Sequence, residues 1–264
     1  MTTSGNSRPR DRITAAIRAT TAKGGTALVP YVTAGYPHKD RFIGTLRAIA
    51  GVADVVEVGV PFSDPMADGV TIQRASHAAI ASGVSLRWIL AELRAAAPFD
   101  APIVLMSYLN PLLNFGYAEL AAAAVPAGVC GFIVPDLPIE ESADFAAALD
   151  AHGLALVQLV TPATPPARLE RLCAASQGFV YAVTVAGITG GAKELPAEVT
   201  TYLDRVRGLT TLPVCAGFGV RRADQVQGLA PHADGVIVGS ALVEQLEKDG
   251  DPVTFLEALR PSKP

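Results

Sequence analysis

Eight short runs of β-branched and apolar residues punctuate the chain. Each ends in a turn signal and gives way to a stretch of helical periodicity. The runs are Ala27–Thr33, Asp54–Val60, Pro102–Tyr108, Gly131–Pro135, Ala155–Thr161, Phe179–Val185, Pro213–Gly217 and Gly235–Val238. Helical patterns follow them at Lys39–Ala50, Thr71–Ala97 (interrupted by Gly83), Tyr117–Ala124, Glu140–His152, Ala167–Ala175, Glu198–Arg207, Ala223–Leu229 and Pro252–Leu259, and a further helix, Arg10–Lys23, precedes the first strand. Strands that are nearly continuous in Val, Ile and Leu are those buried on both faces, and strands that alternate with helices form a parallel sheet. The 264 residues divided over eight units give about 33 each, the size of one strand–helix unit.

An internal echo strengthens the repeat. Ala53–Gly59 aligns with Ala233–Gly239, and five of the seven residues agree. Two units cut from one strand template suit a closed (β/α)8 barrel with an extra N-terminal helix. An open doubly wound sheet is the structural alternative. No Pro/Ser-rich linker divides the chain, so 1–264 reads as one barrel domain with a short disordered lead-in over about 1–9.

Composition removes several classes of function. Half the residues are hydrophobic and 17% are charged, enough apolar material for a large core. The longest uncharged stretches, Ala101–Ala118 and Leu172–Ala192, are broken by Pro, Gly and Asn, so no spanning helix is expected. Met1–Arg12 is polar and lacks the apolar segment of a secretory signal. The net charge is −4 with scattered basic residues, which is no nucleic-acid footprint. Cys130, Cys173 and Cys215 are odd in number and far apart, and the four histidines share no metal-ligand spacing. A disulfide framework and a metal site are therefore not expected, and a reducing cytoplasm fits.

The echo also exposes an anomaly. Where the eighth strand has Ile237, the second has Glu57. A carboxylate in a valine-rich strand must either be paired or carry a raised pKa that lets it act as an acid. No Lys or Arg lies between Gly51 and Gln73 to pair it locally. The segment after this strand brings two more carboxylates, Asp64 and Asp68, each also a turn former before Pro65 and Gly69. Glu57 with Asp68, eleven residues on at the C-terminal face of a barrel, makes a candidate acid/base pair. Gly187–Gly191, Gly217–Gly219 and Gly239–Ser240 follow the last three strands, where barrels commonly hold a phosphate on backbone N–H groups and a helix N-terminus. Ser240 could serve both as N-cap and as phosphate ligand. No P-loop or G-x-S-x-G pattern is present. Met106–Pro111 could line a pocket, whereas Tyr108 and Tyr181 read equally well as core residues.

The run Val56–Gly69 resembles the signature of the tryptophan synthase α subunit family, and the similarity covers nearly the whole chain. It includes Val29–Gly35, Leu105–Pro111, Pro135–Pro138, Gly178–Tyr181, Gly187–Gly190, Gly217–Gly219 and Gly235–Val243. The resemblance implies a TIM barrel that cleaves indole-3-glycerol phosphate, by a retro-aldol reaction, to indole and glyceraldehyde 3-phosphate in tryptophan biosynthesis. It implies Glu57 as acid/base at indole C3 and at the glycerol hydroxyl, and Asp68 as acceptor of the indole N–H proton. Tyr31 would pack on the indole, Tyr108 and Tyr181 would line the site, and Thr189 would close its loop towards Asp68. Gly190, Gly219, Gly239 and Ser240 would hold the phosphate. No metal or organic cofactor is implied in this chain. Pyridoxal phosphate would belong to a β-subunit partner that receives the indole in an assembly of two α and two β subunits. A free-standing lyase feeding indole to secondary metabolism is the alternative within the family, and a non-catalytic activator of a β-type partner is the alternative of another class. Departures from the family pattern include Tyr36, which stands where Asp is frequent, and Thr189–Lys193, which carries an extra glycine and a terminal Lys.

Overall fold

The computed structural model describes residues 8–184, 195–217 and 219–260. Helix α1 (Pro9–Thr21) leads into β1 (Ala27–Thr33), α2 (Phe42–Ala50), β2 (Val56–Gly59), α3 (Val70–Ala81), α4 (Leu86–Ala96) and β3 (Ile103–Met106). Then come α5 (Leu109–Phe115), α6 (Tyr117–Ala124), β4 (Val129–Ile133), α7 (Ala143–Asp150), β5 (Ala155–Val160), α8 (Pro166–Ala175) and β6 (Val180–Val183). The chain continues through α9 (Ala197–Gly208), β7 (Val214–Gly217), α10 (Ala223–Leu229), β8 (Gly235–Val238), α11 (Ser240–Glu247) and α12 (Pro252–Leu259). The eight strands pair in chain order, all parallel, and β1 closes onto β8. The open-sheet alternative is thereby set aside. No helix among the described residues is long and apolar enough to cross a membrane.

Alternate strand residues divide two cores. Outward side chains such as Leu28, Val56, Val58, Leu105 and Phe132 meet the helix layer. Inward ones such as Val29, Val104, Val157, Cys215 and Ile237 fill the barrel. Ile13 and Ile17 of α1 belong to this inner cluster, so the extra helix closes the end of the barrel where the strands begin. Pro9, which the sequence pattern places in the lead-in, instead opens α1. Its fixed φ suits the first helical position, and the Arg8 N–H bonds the Asp11 carboxylate at 3.2 Å. All three cysteines are buried and free.

The echo between β2 and β8 has a structural meaning. Asp54 accepts a hydrogen bond from Leu28 N at 2.8 Å, and Asp234 accepts one from Val214 N at 2.8 Å. Each aspartate thus fastens the start of its own strand to the preceding element of the sheet. The agreement at Ala53-Asp54 and Ala233-Asp234 is therefore a repeated clamp.

The structure differs from the sequence pattern in a few elements. Gly131, placed by that pattern at the opening of the fourth strand, lies inside it. An added Cβ there would stand 2.7 Å from the Ala155 Cβ, so glycine permits close approach of β4 and β5. Helix α5 is absent from the pattern, because Asn110-Pro111 reads as a breaker. Pro111 is tolerated in the first turn, whose N–H groups lack intrahelical partners, and Asp136 accepts from Leu109 N at 2.9 Å. The long Thr71–Ala97 pattern is two helices, with Gly83 at φ +76° between them and the Ser85 hydroxyl capping α4. Helix α11 is absent from the pattern too, although Leu242, Val243 and Leu246 supply its buried face.

Candidate active site

The side chains expected to carry chemistry converge at the C-terminal mouth of the barrel. A cavity of about 260 Å³ there is lined by Tyr31, Glu57, Asp68 and Tyr181 on one side and by Gly219, Gly239 and Ser240 on the other. Glu57 points inward from β2 and is 1% exposed. Among the described residues its Oε2 has no hydrogen-bond partner. Burial, with a smaller contribution from the nearby Asp68 charge, pushes its pKa up to about 8. Asp68 is half-buried at the loop end before α3. Burial raises its pKa to about 6, opposed by a hydrogen bond from the Tyr108 hydroxyl. At pH 7 the environments therefore separate two carboxyls, leaving Glu57 mostly protonated and Asp68 mostly ionised.

Two tyrosines frame Glu57 by the same packing rule. Tyr31 of β1 lies across Gly59 of β2, where an added Cβ would stand 2.0 Å from its hydroxyl. Tyr181 of β6 lies across Gly217 of β7, where a Cβ would stand 2.9 Å from its ring. In each case the tyrosine precedes by two residues the strand partner of the glycine, so the ring leans diagonally over the neighbouring strand. Burial raises both phenol pKa values far above their ordinary range, so both rings stay neutral and present an apolar face.

Tyr108 takes another place. It is absent from the cavity lining and stands behind Asp68, where its hydroxyl accepts from Ala67 N at 2.8 Å and its ring stacks on Phe62 at 5.1 Å. It positions the loop that carries Asp68. Burial, then the Asp68 charge, raises its own pKa to about 12. Asp64 lies outside the cavity and bonds the Ser63 hydroxyl.

The opposite wall is made of backbone. Gly219 has φ +64°, a conformation that favours glycine, and Gly239 caps α11. Ser240 is the first residue of α11, one position inside the N-cap site the sequence suggested for it. N–H groups at this helix end, with the dipole behind them, suit an anion. Thr189 and Gly190 lie outside the described residues. Sequence reasoning missed several lining residues, among them Ile72, Thr184, whose hydroxyl bonds Gly217 O at 2.8 Å, and Arg221. Ile72 and Thr184 carry no motif of their own. Arg221 follows a recognised glycine pair and could have been found. Among the described residues no group of His, Cys, Asp or Glu is arranged to hold a metal ion. At the first strand end, Tyr36 donates to Glu247 at 2.6 Å, and Arg74 grips the same carboxylate at 2.7 Å, so this departure from the family pattern ties β1 to α11 and α3.

A closed parallel barrel with a split carboxyl pair facing a backbone wall that suits an anion is the arrangement of an acid/base enzyme for an anionic substrate. Comparison with known proteins narrows this class. Residues 17–259 match the family model described as tryptophan synthase alpha chain. The chain is 45% identical over 249 residues to a tryptophan synthase alpha chain of Nitratidesulfovibrio vulgaris, covering 94% of this chain and 97% of that one. It is 45% identical over 244 residues to that of Laribacter hongkongensis, covering 91% and 92%. Among solved structures, tryptophan synthase of Mycobacterium tuberculosis superposes with a TM-score of 0.86 at 37% identity, covering 94% of this chain and 96% of that one. The alpha chain of Legionella pneumophila gives 0.82 at 34%, with 94% of each covered. The chain belongs to the tryptophan synthase alpha chain family and is a carbon–carbon lyase.

Proposed function

We propose that the barrel cleaves indole-3-glycerol phosphate to indole and glyceraldehyde 3-phosphate with Glu57 and Asp68 as its two proton-transfer groups. The observation that carries this reading is Glu57, a buried carboxyl whose pKa is pushed up to about 8 in a cavity shared with Asp68 at about 6. Cleaving the bond between indole C3 and the glycerol chain needs a proton on C3, transient loss of the indole N–H proton and loss of the hydroxyl proton on the departing carbon. Protonated Glu57 delivers its proton to C3. Ionised Asp68 accepts the N–H proton as C2=N1 forms. The Glu57 carboxylate then takes the hydroxyl proton as the carbon–carbon bond breaks, and Asp68 returns its proton to nitrogen. Both groups end as they began, and no electron leaves the substrate, so these steps call for no redox group or organic cofactor in this chain. Tyr31 and Tyr181 hold the indole plane, while Gly219, Gly239 and Ser240 hold the phosphate.

The same reading makes the chain an α subunit serving a β subunit that carries pyridoxal phosphate, in the cytoplasm. Its support is the distribution of exposed apolar side chains. Among the described residues the three most exposed large ones are Met66 (89%), Val70 (76%) and Leu113 (52%), and they stand in the loop after β2, at the start of α3 and in α5 after β3, on the face where the cavity opens. An indole-release assay with and without a β subunit tests the whole reading. Slow release alone and strong activation by the partner are expected. High turnover without any partner points to the free-standing lyase, and stimulation of a β subunit with no indole release overturns the catalytic assignment.

A further inference from the structure

The catalytic cavity holds two acidic side chains, and the substrate proposed above brings a phosphate dianion into it. Backbone N–H groups at Gly219, Gly239 and Ser240 offer only partial positive charge. Among the described residues that line the cavity, Arg221 alone carries a full positive charge. Its position is built. Arg221 N–H donates to Gln225 Oε1 at 2.8 Å, which fixes the turn after Gly219. Its guanidinium forms two parallel hydrogen bonds to Glu244, at 2.7 and 3.0 Å. Glu244 lies one turn into α11, the helix that opens at Gly239 and Ser240, and the Thr71 hydroxyl bonds the same carboxylate at 3.2 Å. The arginine is thus held beside the first turn of α11, half-exposed at the rim of the cradle.

We propose that Arg221 is a specificity-determining residue that reads the substrate phosphate, with Glu244 as the group that holds it in position. A guanidinium can present one pair of N–H donors to Glu244 and turn another to a phosphate oxygen. A chain of charges then runs from phosphate to Arg221 to Glu244, and it offsets the repulsion between the phosphate and the carboxyls of the cavity. This inference rests on the reading of the substrate as a phosphate ester and adds the source of selectivity for that group.

The test compares indole-3-propanol phosphate with indole-3-propanol, which differ only in the phosphate, by calorimetric titration of the full chain, alongside steady-state cleavage of indole-3-glycerol phosphate. Arg221→Gln is expected to weaken the phosphate analogue about tenfold or more, the loss of one charge-assisted contact, and to leave the alcohol unchanged. KM rises by a similar factor while kcat stays within about twofold, because the contact is the same in ground and transition states. Arg221→Lys keeps the charge and recovers part of the loss. A merely structural ion pair would lower the unfolding midpoint and affect both analogues equally. That result, or unchanged discrimination between them, overturns the proposal. Failure of the wild-type chain to release indole would instead strike the proposed reaction, and the analogue pair would still read Arg221.

Discussion

Replacing Glu57 by Gln tests the site through stability as well as activity. The wild-type carboxyl titrates at about 4.5 in the unfolded chain and at about 8 in the folded one. The folded state therefore holds the proton more tightly, and the stability this gives is complete below pH 4.5 and is lost as the pH rises towards 8. With 1.36 kcal/mol per pH unit, the two values give a loss of about 1 kcal/mol at pH 5 and about 4 kcal/mol at pH 8. The amide of the variant does not titrate. The stability of Glu57→Gln relative to wild type should therefore improve by about 3–4 kcal/mol between pH 5 and pH 8. Any packing or hydrogen-bond cost of the amide is common to both pH values and cancels. Urea unfolding of both proteins at the two pH values, with linear extrapolation, reads this difference, and indole release by the same variant should fall at least about a hundredfold. A stability difference that stays flat within about 1 kcal/mol would show that Glu57 titrates like an exposed carboxyl, and its role as a proton carrier would fail.

The pH dependence of kcat/KM should be bell-shaped, rising through about 6 as Asp68 ionises and falling through about 8 as Glu57 loses its proton. Asp68→Asn should lose most activity at every pH with an unchanged circular-dichroism spectrum. Gly59→Ala places a methyl 2.0 Å from the Tyr31 hydroxyl, so the buried ring has to shift. It should cost about 1–3 kcal/mol in urea unfolding and lower kcat as the ring is displaced. Asp54→Ala leaves Leu28 N–H without its acceptor and breaks the contact with Arg260 at 3.1 Å, at the barrel end remote from the cavity. It should lower stability by about 1–3 kcal/mol while kcat of the folded fraction is unchanged.

Much of the fold was legible because barrel strands are local apolar runs and barrel helices are local amphipathic ones. Pro252–Leu259, Ala223–Leu229 and Tyr117–Ala124 fall where their periodicity places them. Helices α5 and α11 escaped because their beginnings carry residues with a second meaning: Asn110-Pro111 as a breaker and Gly239-Ser240 as a phosphate turn. Gly131 misled for a related reason, since a glycine that permits close strand approach looks the same in sequence as one that ends a strand.

The sequence by itself determined the eightfold alternation, the order of the units and the oddity of Glu57 in an apolar strand, because each is a property of neighbours along the chain. Tertiary structure decided what those features do. Closure of β1 onto β8 turned the alternate residues inward. It buried Glu57 in the barrel interior, and that burial raises its pKa to about 8. It also moved Tyr108 behind Asp68 and set Arg221 over the first turn of α11. Burial and charge environment are sums over every element that surrounds a group. They take their values only once the barrel has closed.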